Sequence, residues 1–190
     1  MAKHKLGIIV GSNRRESINR KLAQALAKLG AGDFEAKFIQ IDDLPIYNQD
    51  NEQPVPEKVA RFKAEVDTSD ALLFVTPEHS RSIPAVLKNA IDWGARPWGK
   101  TSWPGKPAAI IGTSGGAIST AIAQQHLRAV LGNLGLHVAG GEAYIGFKPD
   151  LIDAQGNVTD DKVRTFLKSF IDQFAAFAGR FAPVKAQAAA

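Results

Sequence analysis

The chain runs to 190 residues, 45% hydrophobic and 22% charged, which suits one globular domain and leaves no stretch near the roughly 18 consecutive apolar residues a membrane span needs. It contains no cysteine, which excludes disulfides, thiolate chemistry and a CxxC redox pair and fits a cytoplasmic setting. The net charge of +4 suits anionic small ligands, but the lysines and arginines are scattered and no aromatic-interleaved basic motif marks a nucleic-acid surface.

The opening MAKHKLGIIVGS reads as a first strand at "LGIIV" (6–10) and not as a secretion signal, because its apolar run is brief and leads into polar residues. Behind it, "GSNRRESIN" (11–19) gathers Ser12, Asn13, Arg14, Arg15, Ser17 and Asn19 at the start of a helix with an apolar face of Ile18, Leu22, Leu26 and Leu29. Neither a GxGxxG nor a P-loop pattern is present. A helix start presents free N–H groups and a positive dipole end. Hydroxyls, amides and guanidinium groups added there form a cradle suited to a phosphate monoester, with no metal required. The alternative is an ordinary capped helix with Ser17 as its cap and solvated arginines.

A second strand is expected at "AKFIQI" (36–41), then a helix marked by Val59, Phe62 and Val66. The third strand, "ALLFVT" (71–76), runs into "TPEHSRSIP" (76–84). Pro77 cannot continue a ladder, so the chain turns outward and exposes main-chain donors and acceptors able to read a flat heterocycle. Pro84 opens the helix "PAVLKNAIDW". The fourth strand, "PAAIIGT" (107–113), leads into "GTSGG" (112–116), whose glycines permit close approach to a planar group and whose Ser114 offers a hydrogen bond. Ala123, Leu127, Val130, Leu131 and Leu134 stripe the next helix, and a weaker fifth strand follows at "HVAGGEAYI" (137–145). The last helix carries Val163, Phe166, Leu167, Phe170, Ile171, Phe174 and Phe177 as a core stripe, with Thr159 as its N-cap. One domain is expected over 1–182 and a frayed tail over 183–190.

Strands alternating with helices imply a parallel α/β sheet covered on both faces. Five strands favour the flavodoxin-like three-layer sandwich of order 2-1-3-4-5, in which ligands bind beyond the carboxyl ends of the strands where the order reverses. The loops after strands 1, 3 and 4 therefore carry the site, with a phosphate at the first and a flat ring between the other two. FMN fits that description.

The stretches "GSNRRESIN", "TPEHSRSIPAVLKNAIDW" and "GTSGG", with "DLPIYNQD" at 43–50, resemble the NADPH-dependent FMN reductase family, particularly its chromate and quinone reductase branch, over nearly the whole chain. The resemblance implies FMN as cofactor, NADPH or NADH as hydride donor, and ping-pong transfer to quinones, chromate or similar small acceptors. It puts Ser12, Arg14, Ser17 and Asn19 on the FMN phosphate, with Arg15 and Ile18 alongside. Pro77, Glu78, His79 and Ser80 hold the isoalloxazine, mostly through main chain, and Ser114, Gly115 and Gly116 face the ring from the other side. Positions 79 and 80 are commonly Tyr and Asn in the family; here they are His79 and Ser80. No catalytic acid or base is assigned, since the flavin carries the chemistry, although His79 is a candidate proton donor to a reduced acceptor. Arg81 is the candidate contact for an anionic acceptor.

Family members are commonly homodimers or homotetramers. By that resemblance Tyr47 and Asn48 approach a neighbouring subunit's flavin; Arg128 and Glu142 either pair across a further interface or form an ordinary surface pair. The main rival reading is a flavodoxin-type electron carrier, which shares fold and FMN but is typically acidic, whereas this chain is basic. A serine hydrolase built on Ser12 would need a convergent His and acid, and no GxSxG elbow occurs.

Overall fold

The computed structural model describes residues 3–181. Its central strands are the most apolar runs of the chain. β1 (His4–Val10), β3 (Ala71–Val75) and β4 (Pro107–Ser114) are buried along nearly their full length. A strand buried on both faces must be flanked by helices on both, and it is. β2 (Phe34–Ile39) lies outside β1, and all pairings are parallel, in the order β2-β1-β3-β4-β5. This is the flavodoxin-like order expected, with a reversal between β1 and β3.

Alternate residues of each strand feed two core layers. Leu6, Ile8 and Val10 of β1, with Leu73, Val75, Ala109 and Ile111, pack against α1 (Ile18–Leu29) and α5 (Asp161–Ala178). Ile9, Leu72, Phe74, Ala108 and Ile110 pack against α2 (Glu57–Asp67), α3 (Ala85–Gly94) and α4 (Ala121–Asn133). The stripes read from helical period are the buried faces: Leu22 and Leu26, then Val59, Phe62 and Val66, then Ala123, Leu127 and Leu131, are all buried.

Three expectations need correction. The fifth strand is two pieces, β5 (His137–Val138) and β6 (Tyr144–Gly146), both paired with the outer edge of β4. Six residue steps separate Val138 from Tyr144 where their partners, Ala108 and Gly112, are four apart, so the intervening chain bulges away. Gly141 turns there with φ +90, and the Arg128 guanidinium donates to Ala139 O (2.7 Å) and Gly141 O (3.0 Å), holding the bulge against α4. The cap of α5 is Asp160, whose Oδ1 accepts from Lys162 N and Val163 N. Thr159 instead donates its hydroxyl to Asp150 O. A carboxylate accepts two helix-start amides at once, which a hydroxyl turned back to the preceding loop does not. Phe166 belongs to no core layer; it is 44% exposed on the outer edge of the α5 stripe. The expected tail, 183–190, lies outside the described residues.

Candidate functional site

Register brings three strand ends level: Val10 lies beside Val75, and Val75 beside Ile111. Gly11, Thr76 and Gly112 therefore mark one rim; the first two polar loops leave from it directly, and β4 runs two residues further, to Ser114, before the third. Gly11 N donates to Val75 O and Thr76 N to Ile111 O, so the ladder is closed up to the point where each loop departs.

At the first loop, Ser17 is the N-cap of α1 and its Oγ accepts from Arg20 N at 3.2 Å. A helix start leaves four main-chain N–H groups without intrahelical partners. The cap takes one, leaving those of Ser17, Ile18 and Asn19 for a ligand. No acidic residue stands in the first turn to neutralise the dipole. Ser12 is half-buried beside this turn, while Arg14 and Arg15 are exposed.

Asn19 does something sequence reasoning did not foresee. It is 1% exposed, its Nδ2 donates to Thr113 O and its Oδ1 accepts from Thr113 N, both at 3.0 Å. The amide thus behaves as a surrogate strand residue, joining the first turn of α1 to the end of β4.

In the second loop, His79 and Ser82 exchange main-chain hydrogen bonds (3.0 and 2.9 Å) around Ser80 and Arg81, which have φ of 49° and 61°. Two consecutive left-handed residues make a type I′ hairpin. His79, Ser80 and Arg81 are exposed at its tip. The Glu78 side chain, 7% exposed, points back into the protein. Its Oε2 accepts from Ala123 N of α4 at 3.0 Å, and its Oε1 pairs with Arg81 Nη1 at 3.1 Å. Any ring contact at Glu78 is therefore through main chain.

The third loop is stapled by serines. Ser114 Oγ donates to Ser119 O (2.9 Å) and accepts from Gly116 N (3.2 Å), while Ser119 Oγ donates to Ile145 O (2.7 Å). Ser114 thus shapes the loop instead of offering a free donor. A Cβ built on Gly115 would meet no protein atom within 4 Å, so the main chain there faces open space. A helix start with no acid in its first turn, an exposed hairpin and an open glycine face, all close to one rim, fit the phosphate and planar ring of FMN.

The 43–52 segment is bolted to α3. Asn89 Nδ2 (2.9 Å) and Trp93 Nε1 (2.7 Å) both donate to Pro45 O, and Asn89 Oδ1 accepts from Tyr47 N at 2.7 Å. Residues four apart share a helix face, so "KNAIDW" supplies a two-pronged clamp. The Tyr47 ring stands edge-on to Trp93, and its hydroxyl donates to Glu52 Oε1 at 2.8 Å, where Arg96 Nε also donates at 2.6 Å. The Arg96 bond, then that of Tyr47, hold the Glu52 carboxyl below its ordinary pKa, while the Tyr47 hydroxyl is raised by its bond to Glu52. Asn48 caps the turn Gln49–Asn51 by accepting from Asp50 N. Sequence reasoning missed Asn89, Trp93, Glu52 and Arg96; the visible signal was a polar Asn beside a Trp one turn on.

Within one chain Arg128 and Glu142 do not form a surface pair with each other. Arg128 is occupied by the Ala139 and Gly141 carbonyls, and Glu142 Oε1 accepts from Gln125 Nε2 at 3.4 Å. Among the described residues no helix is long and apolar enough to cross a membrane, and no group of three His, Asp or Glu residues is placed to hold a metal.

Comparison with known proteins agrees with this geometry. Residues 4–150 match the family model described as NADPH-dependent FMN reductase. The chain is 49% identical over 174 residues to a 2-hydroxy-1,4-benzoquinone reductase of Burkholderia sp, covering 91% of this chain and 95% of that one. It is 46% identical over 176 residues to a quinone reductase of Pseudomonas putida, covering 92% and 94%. The solved structure of the flavoenzyme NAD(P)H:(acceptor) oxidoreductase FerB from Paracoccus denitrificans superposes with a TM-score of 0.91 at 44% identity, covering 94% of this chain and 98% of that one.

Proposed function

The chain belongs to the NADPH-dependent FMN reductase family, and from that premise we propose that it carries electrons from NAD(P)H through bound FMN to quinones, with chromate as a further acceptor. It is an oxidoreductase with FMN as cofactor and NAD(P)H as donor. The observation that carries the acceptor assignment is the 49% identity to a benzoquinone reductase over nearly both chains, joined to a rim whose hairpin tip is exposed and whose Gly115 main chain faces open space.

The FMN phosphate sits at the start of α1, on the N–H groups of Ser17, Ile18 and Asn19, with the Ser12 and Ser17 hydroxyls and the Arg14 and Arg15 side chains around it. The isoalloxazine lies between the main chain of Pro77, Glu78, His79 and Ser80 and that of Ser114, Gly115 and Gly116. When bound, FMN supplies the acceptance of a hydride and its delivery as electrons to a second substrate. The protein's work is to fix the ring against both partners. An open face that serves donor and acceptor in turn makes the kinetics ping-pong. Arg81 is 71% exposed and tethered at only one nitrogen, so its other donors are free for an anionic acceptor such as chromate.

The working unit is a homodimer or homotetramer. Ile46, within the bolted segment that carries Tyr47 and Asn48, and Trp98, two residues beyond the Arg96 that pairs with Glu52, are 86% and 88% exposed, and cover of Ile46 by a second copy would bring that segment toward a neighbouring flavin. The cysteine-free composition suits the cytoplasm.

The test is anaerobic. Protein saturated with FMN is mixed with NADPH and the flavin's visible absorbance is followed. Bleaching faster than that of free FMN, reversed by a quinone or chromate, is the expected result. Bound flavin that stays oxidised would favour a flavodoxin-type carrier instead.

A further inference from the structure

We infer that His126, on α4, positions the flavin-facing hairpin through Ser82, an inference that rests on the reading of residues 77–81 as the loop that holds the isoalloxazine. The hairpin is held in a costly shape. Ser80 and Arg81 both occupy the left-handed region, φ 49° and 61°, where a Cβ crowds the main chain and where type I′ turns favour Asn and Gly. Neither favoured residue is present, so the turn depends on restraint from outside.

That restraint comes from the first two turns of α4. On one leg of the turn, Glu78 Oε2 accepts the N–H of Ala123 at 3.0 Å. On the other, Ser82 Oγ lies 3.1 Å from His126 Nδ1, in hydrogen-bond contact. The Ala123 N–H is one of the unpaired amides at the start of α4, and the His126 side chain stands about one turn further along the helix. The two legs are pinned about one helical turn from each other, on either side of the strained residues, and Arg81 closes back on Glu78 Oε1. The direction of the main-chain N–H and C=O groups from Pro77 to Ser80 follows from this arrangement. Flavin affinity is thus set in part from α4, by a histidine whose bond is to Ser82. His126 is a positioning residue.

The test measures FMN dissociation constants by flavin fluorescence quenching and amide hydrogen exchange of residues 79–82 in FMN-free protein. The variants are Ser82→Ala, His126→Ala, their double, and His126→Asn, whose amide places a polar atom where the imidazole carries Nδ1. Loss of one such hydrogen bond predicts about fivefold weaker FMN binding for each single alanine variant. The double variant binds no more weakly than the weaker single one, and His126→Asn recovers most of the loss. Gln125→Ala, on the same turn of α4 but directed at Glu142 and Tyr144, binds FMN as the parent does.

In FMN-free protein, His126→Ala speeds exchange at the hairpin amides. Unchanged exchange would overturn the brace itself, as would additive losses in the double variant. Faster exchange with unaltered FMN affinity would leave the brace standing but remove the isoalloxazine from this loop, refuting the site reading and the inference with it.

Discussion

Asn19→Ala removes both hydrogen bonds between α1 and the end of β4, and leaves Thr113 N–H and C=O buried, since Thr113 is 2% exposed. A buried polar group stripped of its partner costs about 1–3 kcal/mol. With two such groups, and some relaxation of the helix start toward them, the expected loss is about 3 kcal/mol. For a domain of this length each kcal/mol moves the melting temperature by about 2–4 °C, so FMN-free Asn19→Ala should melt about 10 °C below the parent. Circular dichroism melts on FMN-free protein read this directly. Asn19→Asp sharpens the test. It keeps an acceptor for Thr113 N–H but sets a carboxylate oxygen against Thr113 O, so it is destabilised near neutral pH and recovers part of the loss where the carboxyl protonates and can donate. A FMN-free Asn19→Ala protein melting within about 2 °C of the parent, yet unable to bind FMN, would refute the clip and make the amide a direct cofactor ligand.

Gly94→Ala would place a Cβ 2.1 Å from Trp103 Cζ2, inside a core where the Trp103 indole already donates to Ile91 O; overpacking of this kind costs about 1–3 kcal/mol, read as a lower urea midpoint, and an unchanged midpoint would mean that Trp103 moves aside freely. Because Arg96 and Tyr47 hold the Glu52 carboxyl below its unfolded value, their contribution is present above the ordinary carboxylate range and is lost as pH falls through the depressed value. Melting temperatures across the acid limb should therefore fall less steeply in Glu52→Gln than in the parent, and parallel curves would remove Glu52 from the acid response. Arg81→Ala should slow chromate reduction more than reduction of a neutral quinone; equal losses would show that Arg81 does not meet the acceptor. His79→Ala should shift the pH–rate profile if His79 protonates the reduced acceptor, and an unchanged profile rules that role out.

The family motif and the structure explain different parts of the same segment. "IPAVLKNAIDW" carries the resemblance, yet Asn89 and Trp93 within it clamp Pro45 and reach no part of the rim. Tyr47, expected near a neighbouring flavin, is engaged by Asn89, Glu52 and Trp93 of its own chain. Ile46, next to it in the chain, is left exposed.

The layer architecture, the strand order and the positions of the three loops are legible in the residues read along the chain. Those depend on periodicity, on turn-forming Pro and Gly, and on the rule that ligands meet an open parallel sheet at its switch point. Each signal is contained in a dozen neighbouring residues. Whether a polar side chain in those loops is free for a ligand was decided by tertiary structure alone. Asn19 finds Thr113 94 residues away, Glu78 finds Ala123 45 away, and Ser82 finds His126 44 away. The split of the last strand likewise hangs on Arg128 reaching carbonyls that the fold brings beside α4. A hydrogen bond is short and directional, so its partner is known only when distant segments have been brought within about 3 Å of each other.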